Sequence, residues 1–266
     1  MTSRASLLIL LLAAAPASAS DYRVDRGVLA KVEAADFPAM RAKIAALEAE
    51  TAARLRASVA QLEARPGKRT YVRRGGATAG DVVELMTSAV PVSLDDFLAS
   101  IPAAQWGPHL AHYAGGEVIP LAHLGEGRQI ERMVLSSPGP NQDMTKIEEL
   151  VTERAPDGAI TRVTVYWEVI HSDNGTVVRD VGYVRFARAG AGRTLISTHS
   201  GHRFGGFPFD SSWVSDGLKA KLTAASLRIY FADHAERYRD LAVERTVARR
   251  ARALARGIID RVQQGQ

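Results

Sequence analysis

The chain of 266 residues carries a formal net charge of +5, and 46% of its residues are hydrophobic. This composition is ordinary for a globular protein and too apolar for a disordered one. The sequence contains no cysteine, which excludes disulfides, thiolate metal ligands and cysteine nucleophiles.

The first segment has the pattern of a cleavable secretory signal peptide. Arg4 precedes an apolar run from Leu7 to Ala15, and Ala17-Ser18-Ala19 matches the small-residue cleavage pattern. The run is shorter than the roughly 20 residues that span a bilayer, so a membrane anchor is the weaker alternative. We therefore expect residues 1–19 to be removed near Ala19 and the mature protein to be periplasmic or secreted. The abundance of alanine and arginine indicates a bacterial origin.

Residues 20–67 are predicted to form a helical extension. Phe37, Met40, Ile44 and Leu47 recur at steps of three and four residues, as in one face of a helix. Pro66-Gly67 is expected to end the helix, and the stretch from Arg73 to Gly76 is interpreted as a linker.

From about residue 80 the pattern becomes that of strands. Ser93 is a predicted N-cap for the first of two short helices, which extend to Tyr113. In the stretch 160–171, Val163, Val165, Trp167 and Val169 alternate with polar residues, which predicts a strand that buries this face. The Asn-Gly pair at 174–175 indicates a tight hairpin. After Ser215 the spacing is helical again, with one break, to about residue 262.

The stretch from Val90 to Phe97, Val-Pro-Val-Ser-Leu-Asp-Asp-Phe, resembles the opening of START-like (SRPBCC) domains, and Trp106 in the second short helix also fits. The order of elements over residues 80–242 is similar to that superfamily, which includes lipid-transfer domains and polyketide cyclases, and we take residues 68–242 as the START-like domain. The resemblance implies an α+β helix-grip fold, with a curved antiparallel sheet around a long C-terminal helix. It also implies a mostly apolar cavity that binds a lipid or another hydrophobic molecule. We expect neither a cofactor nor a metal ion. We expect seven side chains to line this cavity: Trp106, Val165, Trp167, Val169, His171, Tyr183 and Phe204.

Two alternatives stay open at this point: an enzyme of the cyclase or hydrolase kind on the same fold, and a helix-mediated scaffold without a ligand. Ser200 lies outside the usual nucleophile motif, and no His/Asp pair is placed beside it by the sequence. Glu168 and Asp180 are expected on solvent-facing strand positions. His199 and His202 are expected on opposite faces of one strand, which disfavours a shared metal ion. His109 and His112 lie on one side of a short helix but need a third metal ligand.

The last segment, residues 243–266, is a basic helical tail. Its predicted contact surface consists of Arg245, Arg249, Arg250, Arg252 and Arg256. A basic helix with a narrow apolar seam, here Val247, Ala251, Leu254 and Ile258, is typical of contact with an anionic membrane or a partner helix. Export removes the protein from nucleic acid. We also expect the N-terminal helix to pack on this tail, or on a second copy of the chain.

Overall fold

The computed structural model describes residues 35–64, 67–74, 81–136, 141–190, 192–206, 209–227 and 234–263, together with residues 27, 30 and 33. The predicted signal peptide lies outside these residues. The elements in chain order are α1 (Phe37–Ala64), β1 (Lys68–Arg74), β2 (Val82–Val90), α2 (Leu94–Ser100), a 3-10 turn (Ala103–Gln105), α3 (Trp106–Tyr113), β3 (Glu117–Gly125), β4 (Arg128–Leu135), β5 (Gln142–Arg154), β6 (Ile160–Ser172), β7 (Val177–Ala189), β8 (Arg193–Phe204), α4 (Asp216–Leu227) and α5 (His234–Gln263).

The strands form one antiparallel sheet of eight strands in the order β1-β2-β8-β7-β6-β5-β4-β3. Consecutive strands from β3 to β8 pair as hairpins, and β2 closes the order by pairing with β8. The predicted hairpin at Asn174-Gly175 is present, and Gly175 has a φ of 68°, which glycine adopts without strain. The expected α+β class, with an antiparallel sheet and long helices at both ends of the chain, is confirmed.

Both faces of the sheet are covered. We call the face that packs against α2 to α5 the inner face, and the face that packs against α1 the outer face. Val163, Val165 and Trp167 are buried on the inner face with Val169 beside them, which confirms the predicted register of β6. On the same strand, Tyr166 belongs to the outer face because neighbouring strand residues alternate.

Helix α1 lies across the outer face. Asp36 caps it by accepting a hydrogen bond from the backbone N–H of Ala39 at 2.8 Å. Met40, Ile44 and Leu47 are buried against the sheet, and each contributes on the order of 1.5–3 kcal/mol through burial of its side chain. The expected pairing of this helix with the C-terminal tail is therefore wrong within one copy, because the apolar stripe of α1 is already used by the sheet.

The remaining helices lie on the inner side. Ser93 caps α2 as predicted, with its hydroxyl accepting from the N–H of Asp96 at 3.2 Å. Helix α5 packs on α2, where the Ser100 and Thr246 hydroxyl oxygens are 2.8 Å apart. Helix α4 packs on β1, β2 and β8. The predicted linker from Arg73 to Gly76 differs from the structure in its first part, since β1 continues to Arg74 as an edge strand.

Candidate functional site

One end of the inner face is an apolar core built by β2, β6, β7 and β8. Phe186 on β7 lies 5.3 Å from Phe97 of α2 between ring centroids, and Trp106 of α3 lies 5.1 Å from Tyr238 of α5. These rings bring the two short helices and the start of α5 together over the strands. The core therefore fixes the position of every element that covers the inner face.

A buried ion cluster lies on β4 and β5 of the same face. The ammonium of Lys146 is 2.7 Å from a carboxylate oxygen of Glu131 and 2.9 Å from one of Glu148. Gln129 donates hydrogen bonds at 3.0 Å to both carboxylates. Burial alone would lower the pKa of Lys146, but the two carboxylates outweigh burial and raise it. Burial raises the pKa of Glu148, with Lys146 opposing the shift.

A second polar chain runs over β6, β7 and β8. The indole N–H of Trp167 donates to Oδ1 of Asp180 at 2.8 Å, and Nδ1 of His202 lies 3.3 Å from the same oxygen. Nε2 of His202 is 2.7 Å from Oγ of Ser200. Burial lowers the pKa of His202, against the opposing effect of Asp180, so the ring is neutral near pH 7. We call Ser200, His202 and Asp180 the inner-face triad.

Three buried hydroxyls on the inner side of the sheet have no hydrogen-bond partner among the described residues. Ser88 on β2 and Thr198 on β8 belong to the inner face, and Thr223 lies on α4, the helix that packs over these two strands. Each of the three residues is at most 1% exposed. Buried hydroxyls in proteins are almost always hydrogen-bonded, so each of these groups can take a partner that the described residues do not supply.

The seven side chains predicted to line a cavity do not all share one face. Trp106, Val165 and Trp167 are buried in the inner core, and Val169 is half-buried against it. Phe204 packs on Phe209 at the end of β8, with ring centroids 5.6 Å apart.

Tyr183 and His171 depart from that prediction. Tyr183 is an outer-face residue buried under α1, because residues 181 and 183 of β7 face that helix. The side chain of His171 is 52% exposed near the end of β6 and lies 3.3 Å from Asp173. Neither side chain lies beside the inner core.

The two carboxylates considered for acid–base chemistry also differ. Glu168 is on the outer face, where Lys43 of α1 forms an ion pair with it. Asp180 is on the inner face, which corrects the expectation that it faces solvent. A register shift between Val177 and Arg179 alters the alternation of β7 just before Asp180.

The histidines are distributed as the sequence indicates. His199 lies on the outer face, 3.1 Å from the Thr51 hydroxyl of α1, while His202 lies on the inner face. Burial lowers the pKa of His199 to about 4. His109 pairs with His234 of α5 at 3.0 Å, and burial lowers the pKa of both rings. Over the described ranges, no three histidine or carboxylate side chains are grouped so as to hold a metal ion.

The basic tail continues helix α5. All five arginines of the predicted contact surface are solvent-exposed, and two of them, Arg249 and Arg250, form ion pairs with Asp96 of α2. Val247 and Leu254, two members of the apolar seam, are 62% and 64% exposed. None of the described helices combines the length and the apolar character needed to cross a membrane.

A shallow groove of about 530 Å³ lies between helix α5 and the end of β2 with the turn that follows it. Gly67, Ala89 and Pro91 form one side, and the other side consists of Arg239, Asp240, Val243 and Glu244. It is separate from the inner-face triad, which is buried.

The antiparallel sheet, two short helices after β2 and long C-terminal helices together form a helix-grip architecture. No family model matches the chain, and no curated protein matches it. The likeness to solved structures is one of fold.

The similar structures include two lipid transfer proteins and one aromatase/cyclase. Human StAR-related lipid transfer protein 5 is 11% identical, with 73% of this chain and 98% of that chain covered and a TM-score of 0.47. A STAR-related lipid transfer protein from Xanthomonas axonopodis is 16% identical, with 64% and 94% covered and a TM-score of 0.43. The Zhui aromatase/cyclase from a Streptomyces species is 12% identical, with 67% and 95% covered and a TM-score of 0.45.

Sequence reasoning did not find the ion cluster or the triad. Lys146 and Glu148 alternate with Thr145, Ile147 and Glu149 on β5, so neither face is apolar in the sequence. Charged residues in such a strand ordinarily indicate solvent. Among the side chains that contact the triad, the sequence indicated the face of Trp167, because its apolar neighbours on β6 alternate with polar residues.

Proposed function

We propose that the protein binds an amphipathic, lipid-like molecule between the inner face and the helices that cover it. The polar end of the ligand lies where β2, β8 and α4 meet, and its apolar part lies along the inner core. The carrying observation is the set of three unpartnered hydroxyls of Ser88, Thr198 and Thr223, all buried on the elements that meet there.

The chemistry of the inner face supports a ligand of this kind. Small-molecule sites are mostly apolar with a few well-placed polar groups. The inner core provides aliphatic and aromatic surface, while the triad and the hydroxyls provide donors and acceptors next to it. Helix α4 is buried at Ala220, Thr223, Ala224 and Leu227, and only the last of these is a large apolar side chain. Separating this helix from the sheet therefore costs less than separating one that buries only large apolar side chains.

Native mass spectrometry of the purified protein, before and after extraction with organic solvent, tests the proposal. We expect a bound lipid-sized mass that extraction removes. Thr198→Val removes a hydroxyl on the inner face and keeps the side-chain shape, so it should reduce the bound fraction. Thr87→Val is the matched control, because the Thr87 hydroxyl of β2 is equally buried and also lacks a partner among the described residues, but it lies on the outer face under α1. Absence of any bound molecule, or equal loss in both variants, would contradict the proposal.

We further propose that the protein acts after export, at an anionic membrane surface that the tail contacts. The uneven charge of α5 supports this, since Arg252 and Arg256 are exposed next to the exposed Val247 and Leu254. Each basic residue near an anionic bilayer contributes about 1 kcal/mol. Peptide sequencing of the mature N-terminus tests export, with a start after Ala19 expected and an intact leader in the exported protein contradicting it.

Co-sedimentation with vesicles tests the membrane contact. Vesicles with phosphatidylglycerol should bind the protein more than pure phosphatidylcholine vesicles do. Replacing Arg252 and Arg256 by glutamine should weaken only the binding to anionic vesicles. Equal binding to both vesicle types would refute the membrane contact.

A further inference from the structure

The inner-face triad has the connectivity of a serine nucleophile with its base and a supporting carboxylate. Ser200 Oγ is 2.7 Å from His202 Nε2, and His202 Nδ1 is 3.3 Å from Asp180 Oδ1. Hydroxyl, imidazole and carboxylate follow one another through the two different ring nitrogens, as in acyl-transfer enzymes on several unrelated folds.

Donor and acceptor chemistry favours one direction for the chain. A carboxylate only accepts hydrogen bonds, so Nδ1 of the neutral His202 ring carries the proton towards Asp180. Nε2 is then the acceptor, and the Ser200 hydroxyl donates to it. The hydroxyl proton is therefore already directed at the base that would remove it.

Ser200 has a strand neighbour on each side, the fully buried Glu84 on β2 and Gly182 on β7. Gly182 pairs with Ser200 across β7 and β8, and a Cβ atom at position 182 would lie 2.6 Å from the Ser200 Cβ atom. The inner face beside Ser200 therefore carries no side chain on the β7 side. Trp167 is the next residue across the sheet, and its indole is held by Asp180.

A free hydroxyl lies two residues along the same strand face. Thr198 is fully buried, and its hydroxyl has no partner among the described residues. A hydroxyl of this kind can donate to an oxygen that gains negative charge during attack on a carbonyl. The proposed ligand site and the triad are thus adjacent on β8.

We propose that Ser200 is a nucleophile that accepts an acyl group from a carboxylic ester whose acyl chain occupies the proposed ligand site. His202 acts as the general base and Asp180 as a positioning residue. The inference rests on the proposed function for its substrate class.

The chemistry balances with water as the second reactant. Ser200 Oγ bonds to the ester carbon as its proton passes to His202 Nε2, and the carbon–oxygen bond to the alcohol breaks as that proton passes to the leaving oxygen. Water then adds to the acyl-serine while His202 takes its proton, and the proton returns to Ser200 Oγ as the carboxylic acid leaves.

Labelling with a small alkyl fluorophosphonate, read by intact mass and peptide mapping, tests the nucleophile without requiring ligand binding. One adduct on Ser200 is expected, and Ser200→Ala should abolish it. Ser197→Ala is the matched control, because Ser197 is a buried serine of the same strand on the outer face. His202→Gln should slow labelling by about 100-fold or more, the usual contribution of a general base.

The Asp180→Asn variant separates positioning from support of the fold. It keeps an oxygen for the Trp167 indole but no longer fixes the proton on Nδ1 of His202. We expect an unchanged melting temperature and a labelling rate that falls strongly at every pH from 6 to 9.

Hydrolysis of p-nitrophenyl esters gives an independent measurement. A burst of one nitrophenol per chain should accompany acylation of Ser200, and esters with longer acyl chains should react faster. No adduct on Ser200 in the wild-type protein, or equal labelling in His202→Gln, would overturn the inference. A retained lipid in the native mass spectrum together with that result would leave the binding proposal standing.

Discussion

Replacing Lys146 by methionine should be among the most destabilising single changes on the inner face. Its side chain is 7% exposed, and its ammonium is shared by Glu131 and Glu148 at 2.7 and 2.9 Å. Without it, two buried carboxylates lose their countercharge, and removal of one partner from such a cluster costs about 3–5 kcal/mol. The Arg162–Glu153 pair provides the control, because its side chains are 42% and 45% exposed and an exposed pair contributes at most about 1 kcal/mol.

Chemical denaturation of Lys146→Met and Arg162→Met, monitored by tryptophan fluorescence, measures both effects. The loss of unfolding free energy in Lys146→Met should also depend on pH. Burial holds the folded pKa of Glu148 above its unfolded value, and this shift should grow when Lys146 is absent. Stability of the variant should therefore recover as the pH falls towards the unfolded pKa and decline as it rises. Adding Glu131→Gln and Glu148→Gln should restore part of the loss, whereas a deficit no larger than that of the surface variant would refute the reasoning.

Three further predictions concern other parts of the fold. Because burial lowers the pKa of His199 from 6.5 to about 4, the free energy of unfolding should fall by roughly 3 kcal/mol from this group as the pH falls from 6.5 to 4. His199→Gln should make the free energy of unfolding less dependent on pH over this interval, and an unchanged dependence would contradict the assignment. Gly182→Ala should cost about 1–3 kcal/mol, because its Cβ would lie 2.4 Å from the His199 carbonyl oxygen, whereas Gly217→Ala, with nothing within 4 Å, should leave the melting temperature equal or higher. Asp96→Asn should speed hydrogen exchange over residues 246–256 by weakening two ion pairs from α5; exchange as slow as in the wild type would show that those pairs do not hold the helix.

Much of the sheet could be predicted from the sequence, because a single apolar face and well-placed turns define the position and the register of a strand. The alternation around Trp167 and the Asn-Gly turn placed β6 and β7 correctly. The short helix after Ser93 followed from its cap. These features depend on residues close together in the chain.

The candidate site could be predicted much less well from the sequence, because its geometry depends on residues that are far apart in the chain. The position of α1 required knowing that the outer face of β5 to β8 carries buried groups such as Tyr183 and His199. The face of Asp180 depended on a register shift at Val177 that no sequence pattern marks. The meeting of Lys146 with Glu131 is a cross-strand pairing, which only the register of β4 and β5 defines.

Strand β8 links the two sides of the molecule through consecutive residues. His199 contacts the first helix through Thr51, and the next residue, Ser200, contacts His202 on the opposite face. Because a slip of one residue would exchange the faces of all side chains on the strand, the contact of His199 with α1 also helps to keep Ser200 and His202 on the inner face. Removal of the N-terminal helix would thus be expected to disturb chemistry on a surface that the helix does not touch, so shortened forms of the protein that begin after it are unsuitable for measuring activity at Ser200.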